Sequence, residues 1–376
     1  MRQKTLVVLA AVTVPVLLAA IFLPAPGGSV TRPAEAGPVF PTLGDWLGKA
    51  TKLTITSAGG ATINLVRATV PADAKAPAGA VPADGWTLAD KGGYPVEEAV
   101  IRPLLSGLLH LREIEAKSER PKLYGRLDLE DPTTAKDAKG HLVELSDANG
   151  ASIVKLIVGR RRYDPADTGT DSIYIRKPDE ARSWSAQPAF DVPSDPLNWI
   201  DRKIVDIEPD KIKSASLTVA GGKPLQLARG KPDDDLDVKD VPKDAKLKGA
   251  NPGSEIAAAL RYLDLSDVRP AAQITAPAGV TDEFVTFDGL VVKLALAKQD
   301  GADWLQVTAA GTGDAAVKDA AEITKRTQGW AYKLPEAHTK TLETTLPDML
   351  LGVAPPPAAP AAAAPAPVDK PKKAGK

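Results

Sequence analysis

The chain of 376 residues contains no cysteine. This absence excludes disulfide bonds, thiolate ligands for zinc, cysteine nucleophiles and lipid attachment through a thiol. Histidine is almost as scarce, since His110, His141 and His338 are the only three. None of them stands in an H-E-x-x-H or H-x-H arrangement, so no zinc centre is predicted.

Aromatic residues and net charge are also low. Aromatic residues make up 5% of the chain, so the core must be built mainly from Leu, Val, Ile and Ala. The formal charge is −1, from 47 basic and 48 acidic residues. A balance this close provides no field that would attract nucleic acid, and no nucleic-acid partner is predicted.

Motifs of familiar catalytic sites are missing from the sequence. No serine lies in a G-x-S-x-G turn. Carboxylates are plentiful, but no pair of them stands out for acid–base work. We therefore expect no enzyme, and we assign no catalytic, cofactor-binding or metal-binding residues and no cofactor.

The N-terminus carries a long apolar run. Arg2 and Lys4 precede it, residues 5–31 carry no charge, and residues 6–23 are almost wholly apolar. About 20 such residues are needed to cross a bilayer, which predicts a single transmembrane anchor at residues 1–23. The alternative is a cleaved signal peptide, because Ala34-Glu35-Ala36 resembles a cleavage site, although it lies well past the apolar run.

The orientation of this anchor follows from its flanking charges. Positive residues before an apolar helix stay in the cytoplasm, so the bulk of the chain should face outward. The predicted location is the inner (cytoplasmic) membrane, single-pass, with the bulk of the chain on the periplasmic or extracytoplasmic side.

A glycine-centred hairpin motif occurs twice. In KLTITSAGGATINLVRA, residues 52–68, alternating apolar residues flank Gly59-Gly60, which predicts a β-hairpin. In ASLTVAGGKPLQLAR, residues 215–229, Gly221-Gly222 holds the same place. Glycine suits both turns because it adopts positive φ without steric cost.

Three further predicted elements recur in the same order: a helix that follows a proline, a second hairpin, and a strand with a tyrosine and a following proline. The first copies lie at residues 94–111, 141–159 and 172–181, and the second copies at 251–265, 284–297 and 329–338. Pro103 should kink or split the first helix. A shared order over four elements predicts two tandem units of similar architecture.

The predicted fold class is α+β, with two similar units that each combine an antiparallel sheet with one main helix. The predicted segments are the transmembrane anchor 1–23, a spacer 24–40, a first unit 41–200, a second unit 201–353 and a disordered Pro/Ala-rich tail 354–376. The composition of loops 71–83 and 230–249 also predicts disorder.

This order of elements resembles a bacterial membrane-anchored family catalogued as domain of unknown function 4340. The resemblance covers residues 1 to about 350 and includes GWTLAD at 85–90, KLYGRLDLEDP at 122–132 and SIYIRK at 172–177. Its most telling part is the Tyr-Gly-x-Leu-x-x-x-x-Pro pattern from Tyr124 to Pro132. Members are typically encoded beside ABC-type exporters, so the resemblance implies an accessory role in export. It implies no catalytic residues.

Two motifs favour small ligands only weakly. GTGDAA at 311–316 has the shape of a dinucleotide-binding turn, but the antiparallel surroundings favour a plain glycine turn, and no nucleotide is predicted. The loop Asp233–Asp240 carries acids at alternate positions, as in calcium sites. Val238 and Asp244 stand where a calcium loop of the EF type needs Gly and Glu, so a solvated acidic loop is the alternative.

The arginine run and the scattered tryptophans each have two interpretations. Arg160-Arg161-Arg162 suits a phosphate or an acidic partner, or else a charged strand end that discourages edge pairing. Tryptophans that line sugar-binding clefts are exposed, whereas core tryptophans are buried. The six in this chain are Trp46, Trp86, Trp184, Trp199, Trp304 and Trp330.

The sequence therefore favours a non-catalytic, membrane-anchored envelope protein that serves as an accessory or interaction subunit of an ABC-type export system. The predicted partners are the membrane and proteins of the exporter complex, contacted through sheet edges or faces. The alternative is a cell-wall or glycan-binding module, possibly a carboxylate-dependent hydrolase. Ligand, oligomeric state and the calcium question stay open.

Overall fold

A computed structural model describes residues 37–67, 84–163 and 171–352. The predicted anchor 1–23, the tail 354–376 and the loop 71–83 lie outside the described residues. Among the helices that are described, none has the length and apolar character needed to cross a membrane.

The chain forms two compact units, with the boundary between Trp199 and Ile200. The segment Ala89–Tyr94 groups with the second unit. The architecture is α+β, with mostly antiparallel sheets and few helices, which confirms the predicted fold class at that level.

The first sheet has nine strands in the order β4-β3-β2-β1-β6-β7-β8-β9-β5. In chain order they are β1 (Ala50–Thr56), β2 (Thr62–Arg67), β3 (Trp86–Leu88), β4 (Tyr94–Pro95), β5 (Arg112–Ala116), β6 (His141–Asp147), β7 (Ser152–Arg162), β8 (Ser172–Arg176) and β9 (Ser183–Gln187). Alternating residues of the central strands are buried, because successive side chains of a strand point to opposite faces.

Two helices belong to the first unit, α1 (Leu43–Trp46) and α2 (Glu98–His110). Helix α2 buries the apolar stripe that its sequence predicts, including Ile101, Leu104 and Leu108. Pro103 lies inside it, yet α2 runs on without a break to His110, so the expected split does not occur.

The second unit contains an eight-stranded sheet in the order β13-β12-β11-β16-β17-β18-β19-β15, and a small sheet of β10 paired with β14. The strands are β10 (Lys203–Val205), β11 (Ile212–Val219), β12 (Leu225–Ala228), β13 (Asp237–Val238), β14 (Leu263–Asp264), β15 (Asp267–Pro270), β16 (Ala278–Thr286), β17 (Leu290–Gln299), β18 (Ala302–Gly311) and β19 (Trp330–Lys333). The helices are α3 (Ser254–Ala257), α4 (Asp314–Thr327), α5 (Glu336–Leu342) and α6 (Leu346–Met349).

The two large sheets have the same strand order. Without β4, the strand order of the first sheet is β3-β2-β1-β6-β7-β8-β9-β5. The order of the second sheet is β13-β12-β11-β16-β17-β18-β19-β15, in which each strand number is larger by ten. The registers also match: Val143 stands between Ile55 and Leu156, as Asp282 stands between Leu217 and Leu294.

A cross-strand ion pair occurs at the same place in both sheets. Lys155 pairs with Glu144 at 3.4 Å, and Lys293 pairs with Glu283 at 3.1 Å. The two pairs lie one residue beyond Val143 and Asp282 on their strands. Pairs of this kind contribute well under about 1 kcal/mol each, so they identify the register more than they stabilise it.

The main helix of the second unit is not where the sequence pattern places it. The stretch 251–265 forms only the four-residue helix α3, whereas α4 spans 14 residues between β18 and β19. Asp314 in the first turn of α4 and Lys325 and Arg326 in the last turn complement the helix dipole. The predicted length of the helix at 251–265 is therefore wrong.

Two other expectations are corrected. The tyrosine strands at 172–181 and 329–338 form β8 and β19, which do not hold equivalent places, because β8 corresponds to β18 in the strand order. The loop 230–249 is not disordered: it contains β13, and Leu247 forms a β-bridge with Leu350. Leu236 within it is buried, which anchors the loop to the second unit.

Candidate functional site

An open groove of about 630 Å³ lies on the first unit. It lies where the edge strand β5 meets the turn between β8 and β9. We call it the Trp184 groove, and its lining residues are Glu113, Glu119, Lys177, Glu180, Ala181, Arg182 and Trp184.

A buried arginine holds the turn between β8 and β9 in place. Arg176 is only 6% exposed, and its guanidinium donates hydrogen bonds to four carbonyl oxygens, those of Leu129, Lys177, Pro178 and Glu180. Its planar, fork-like donors suit such convergent carbonyls. The turn residues that line the groove are therefore set on a rigid base.

A group of hydrogen bonds joins the segment after β5 to the start of β9. The Ser183 hydroxyl donates to the Ser118 carbonyl at 2.8 Å and accepts from the Ser118 N–H at 3.0 Å. The backbone adds bonds between Ser183 and both Lys117 and Ser118. Because Ser183 is fully buried, these bonds fix Glu119 opposite Arg182.

Most charges in the groove neutralise one another. Lys177 pairs with Glu180 at 3.1 Å, and the Nε of Arg182 donates to Glu119 at 2.7 Å. Glu113 is different: its carboxylate forms no hydrogen bond or ion pair with the described residues. Burial raises the pKa of Glu113 more than the charges of Lys177 and Arg182 lower it.

An indole ring forms part of the same groove. Trp184 is half-buried, and the guanidinium of Arg182 lies 5.8 Å from the centre of its ring. Trp184 pairs across the sheet with Ala116 of β5, whose small side chain leaves the groove open beside it. The groove thus combines an aromatic surface, two ion pairs and one carboxylate that has no hydrogen-bond or ion-pair partner in the described part of the chain.

The free edges of the two large sheets are poorly suited to strand addition. Strand β5 carries Arg112, Glu113 and Glu115, and β15 ends in Arg269 and Pro270. Strand β13 has only two residues. Charges, proline and short length are the features by which proteins block pairing at sheet edges, so the groove is a better candidate contact than either edge.

The histidines fall into separate structural settings. His141 Nδ1 lies 3.0 Å from the Ser57 hydroxyl, and burial lowers the pKa of His141. Two of the nearby backbone N–H groups already donate, Ser57 to Ala61 and Gly60 to Pro132. A serine–histidine pair needs free N–H donors for a developing oxyanion, and these two donors are occupied.

The other two histidines lie apart from this pair. The Nδ1 of His110 donates to the Ser106 carbonyl one helical turn earlier, at 2.9 Å. The Nδ1 of His338 on α5 is buried and has no partner among the described groups. Within the described ranges, no three residues of the kinds that bind metals lie together, and this includes the loop Asp233–Asp240.

The acids of the loop Asp233–Asp240 contact different neighbouring residues. Asp235 accepts from the Asn251 amide, and Asp237 lies 3.7 Å from Lys239. Two of the alternate acids are thus in contact with neighbouring side chains, Asn251 and Lys239. Asp234 also caps the loop by accepting from the Lys231 N–H at 3.0 Å.

Two arginines of the run at the end of β7, Arg160 and Arg161, lie close to acids. Arg161 contacts Asp171 at 2.9 Å and Asp191 at 3.2 Å. Arg160 donates to the Arg126 carbonyl and lies 3.9 Å from Asp128. These contacts use the guanidinium donors that a phosphate would need.

The GTGDAA segment connects β18 to α4. The following strand, β19, pairs antiparallel with β18. A dinucleotide-binding turn belongs instead to a parallel βαβ unit. The segment is therefore a strand-to-helix turn, in which Gly313 adopts a φ of 96°.

Three of the six tryptophans belong to the core. Trp86, Trp199 and Trp304 are almost fully buried, and Trp46 is the most exposed at 45%. Trp184 is the tryptophan that lines the groove described above. Sequence position alone does not separate it from the buried tryptophans, because its exposure depends on the small Ala116 on the neighbouring strand.

The Tyr124–Pro132 segment is built into the first unit. The Tyr124 hydroxyl donates to the Ala181 carbonyl at 2.5 Å, and Arg176 lies 4.5 Å above its ring. Tyr124 and Leu129 form a buried cluster with Leu142 and Ile157. The segment thus covers one face of β6 and β7 and supports the turn that lines the groove.

A family model described as Domain of unknown function (DUF4340) matches residues 86–282, which is 197 of the 376 residues. The chain therefore belongs to this family. The match includes the Tyr124–Pro132 segment and all the residues of the Trp184 groove. No curated protein matches the chain.

Proposed function

We propose that this protein is a non-catalytic, membrane-anchored envelope protein that serves as an accessory subunit of an ABC-type export system. In this proposal residues 1–23 span the inner membrane, and two similar α+β units face the periplasmic or extracytoplasmic side. The Trp184 groove is the surface that contacts a protein of the membrane complex.

The observation that carries this proposal is the construction of the groove. Glu113, which has no ion-pair partner among the residues that the structure describes, and the half-buried Trp184 lie on a base that Arg176 fixes through its carbonyl contacts. Tryptophan is among the residues that dominate the energetics of protein contacts. Because the groove is preformed, a partner would bind without an ordering cost on this side.

The shared strand order of the two large sheets supports the proposed duplication. Equivalent ion pairs, Glu144–Lys155 and Glu283–Lys293, add to this support. The first unit differs by having the Tyr124–Pro132 segment and the groove. We infer that one architecture was copied and that the first copy acquired the contact surface.

Site-directed photocrosslinking in intact cells tests the proposal. A photoreactive residue replaces Glu180 in the groove, and in a control variant it replaces Glu336, an exposed residue of α5. We expect the variant at 180 to form an adduct with a membrane protein of an exporter and the variant at 336 to form none. Identical adduct patterns, or no membrane protein at position 180, would contradict the proposal.

A second candidate is a glycan-binding module, because an indole ring and unpaired carboxylate share one groove. Sugar rings stack on aromatic faces, and carboxylates accept hydrogen bonds from hydroxyl groups. The full-length protein in detergent would then be retained on isolated cell wall, and a Trp184→Phe variant would be retained less. Release of reducing sugar, lost in Glu113→Gln, would identify a hydrolase.

A further inference from the structure

The charges that line the Trp184 groove leave one acid unmatched. The groove contains three glutamates and two cations. The Lys177–Glu180 and Arg182–Glu119 pairs account for four of these five charges. Glu113 is the fifth charge. It lies on β5, where its backbone N–H donates to the Gly37 carbonyl oxygen.

The surroundings of Glu113 disfavour a free carboxylate. The side chain is half-buried, and burial raises the pKa of Glu113 above its usual range. A bound cation would reverse this effect, because an opposite charge at contact distance favours the ionised carboxylate. The ring of Trp184 in the same groove adds an electron-rich face, which attracts ammonium and guanidinium groups.

The second unit contains two separate cation contacts near the equivalent strand. Strand β15 takes the place in its sheet that β5 takes in the first. There the carboxylate of Asp267 binds the ammonium of Lys91 at 2.6 Å. Nearby, the guanidinium of Arg269 lies 3.6 Å from the ring centre of Trp304. In the strand registers Asp267 corresponds to Glu115 and not to Glu113, so this contact shows only that an acid on the equivalent strand binds a lysine from another segment.

We propose that the Trp184 groove binds a lysine or arginine side chain of the partner protein, with Glu113 as its counter-charge and Trp184 as its aromatic contact. The inference rests on the proposed function, since it specifies the chemistry by which the groove recognises a protein. Glu113 is the residue that selects the cation, and the two existing ion pairs border the site.

Titration calorimetry with a simple probe tests this inference. The probe is acetyl-trilysine amide, and the comparison probe is the same peptide with its side-chain amines acetylated. We expect the full-length protein in detergent to bind the first and not the second. A charge-assisted contact contributes about 1.5–3 kcal/mol, so Glu113→Gln should weaken binding about tenfold or more.

The matched control is Glu115→Gln. Glu115 lies on the same strand but is exposed and paired with Lys117, so this change should alter the affinity less than about twofold. Circular dichroism melting curves establish that both variants are folded. Equal affinities of the natural protein and Glu113→Gln, or no binding of trilysine by the natural protein, would overturn the inference.

The photocrosslinking experiment separates this inference from the proposed function. If the adduct at position 180 forms equally well in the Glu113→Gln background, the cation contact is wrong although the protein contact stands. If no adduct forms in either background, the proposed function itself fails. Binding of a neutral cell-wall oligosaccharide in place of trilysine would overturn the inference in favour of the glycan candidate.

Discussion

At the scale of single residues, Asp282 is a carboxylic acid that is buried in apolar surroundings. It is 3% exposed on the core face of β16, between Leu217 and Leu294. One carboxyl oxygen accepts from the Thr218 N–H at 3.2 Å, and the other has no partner among the described groups. The first unit has the apolar Val143 at the equivalent place.

Burial raises the pKa of Asp282 to about 7, and the Thr218 N–H lowers it only in part. The folded protein therefore keeps a proton that the unfolded chain releases near its ordinary pKa of 3.8. Between these two values, the unfolded state binds fewer protons, so the free energy of unfolding falls as the pH rises. Above the folded-state pKa this contribution stays lost.

We predict that Asp282→Asn removes this pH dependence. The amide oxygen can keep the bond from Thr218, and the side chain stays neutral. A pKa that rises from 3.8 to about 7 corresponds to a loss of about 4 kcal/mol of unfolding free energy between these pH values. The variant should therefore be the more stable protein at pH 8, as measured by urea unfolding from pH 4 to pH 8.

Glu283→Gln is the control for this prediction. Glu283 is the next residue on β16, points to the opposite face and pairs with Lys293 near the surface. Its substitution should leave the pH profile almost unchanged. Parallel profiles for the natural protein and Asp282→Asn would show that Asp282 has no special role.

At the scale of elements, the packing of the Tyr124–Pro132 segment on the first sheet explains why glycine occupies positions 140 and 159. A Cβ atom on Gly140 would lie 2.0 Å from the Asp128 carbonyl oxygen, and one on Gly159 would lie 2.2 Å from that of Leu127. Asp128 itself adopts a φ of 58°, which turns its carbonyl toward the strands. The backbone of the segment packs where side chains would otherwise stand.

In the second unit the connection between β15 and β16 is shorter, at residues 271–277, and leaves open space beside the equivalent glycine. Gly279 of β16 corresponds to Gly140, and a Cβ atom there meets nothing nearer than the Leu296 carbonyl oxygen at 4.0 Å. Ala297 of β17 corresponds to Gly159. The glycines of the first unit are therefore needed by the segment that packs on the sheet, not by the sheet itself.

We predict that Gly140→Ala destabilises the protein while Gly279→Ala does not. The first change forces the segment away from the sheet, and overpacking of this kind costs about 1–3 kcal/mol. The second change fills open space in a strand, where alanine is favoured over glycine by about 0.5–1 kcal/mol. Urea unfolding of the two variants provides the comparison, and equal midpoints would refute the packing argument.

The glycine turns show how far pattern alone predicts an element. The pairs Gly59-Gly60 and Gly221-Gly222 both connect hairpin strands, as predicted. Gly59, Gly60 and Gly221 adopt positive φ, whereas Gly222 does not. In the first hairpin, the Gly60 N–H donates to the Pro132 carbonyl, which is a contact that no local pattern indicates.

At the scale of the whole molecule, two units with one strand order follow each other along the chain. Their main helices come from different places: α2 precedes β5, and α4 follows β18. The similarity therefore lies in the sheets, and the helices vary around them. Long-range pairing within a sheet constrains its order more than it constrains the helix that covers it.

The membrane topology is a prediction at this same scale. Arg2 and Lys4 before the apolar run should hold the N-terminus in the cytoplasm. A reporter that is active only outside the cytoplasm, fused after Lys376, should therefore be active. Deletion of residues 6–23 should abolish its activity, and an inactive fusion of the undeleted chain would refute the topology.

By itself, the sequence determined the α+β class, the hairpins within residues 52–68, 141–159, 215–229 and 284–297, and the helix at α2. These depend on φ preferences and on apolar spacing, which are local properties. Only the tertiary structure decided which strands are neighbours, which helix covers the second sheet, and that Glu113 and Trp184 share a groove. Those outcomes depend on contacts between residues far apart in the chain, which local spacing does not encode.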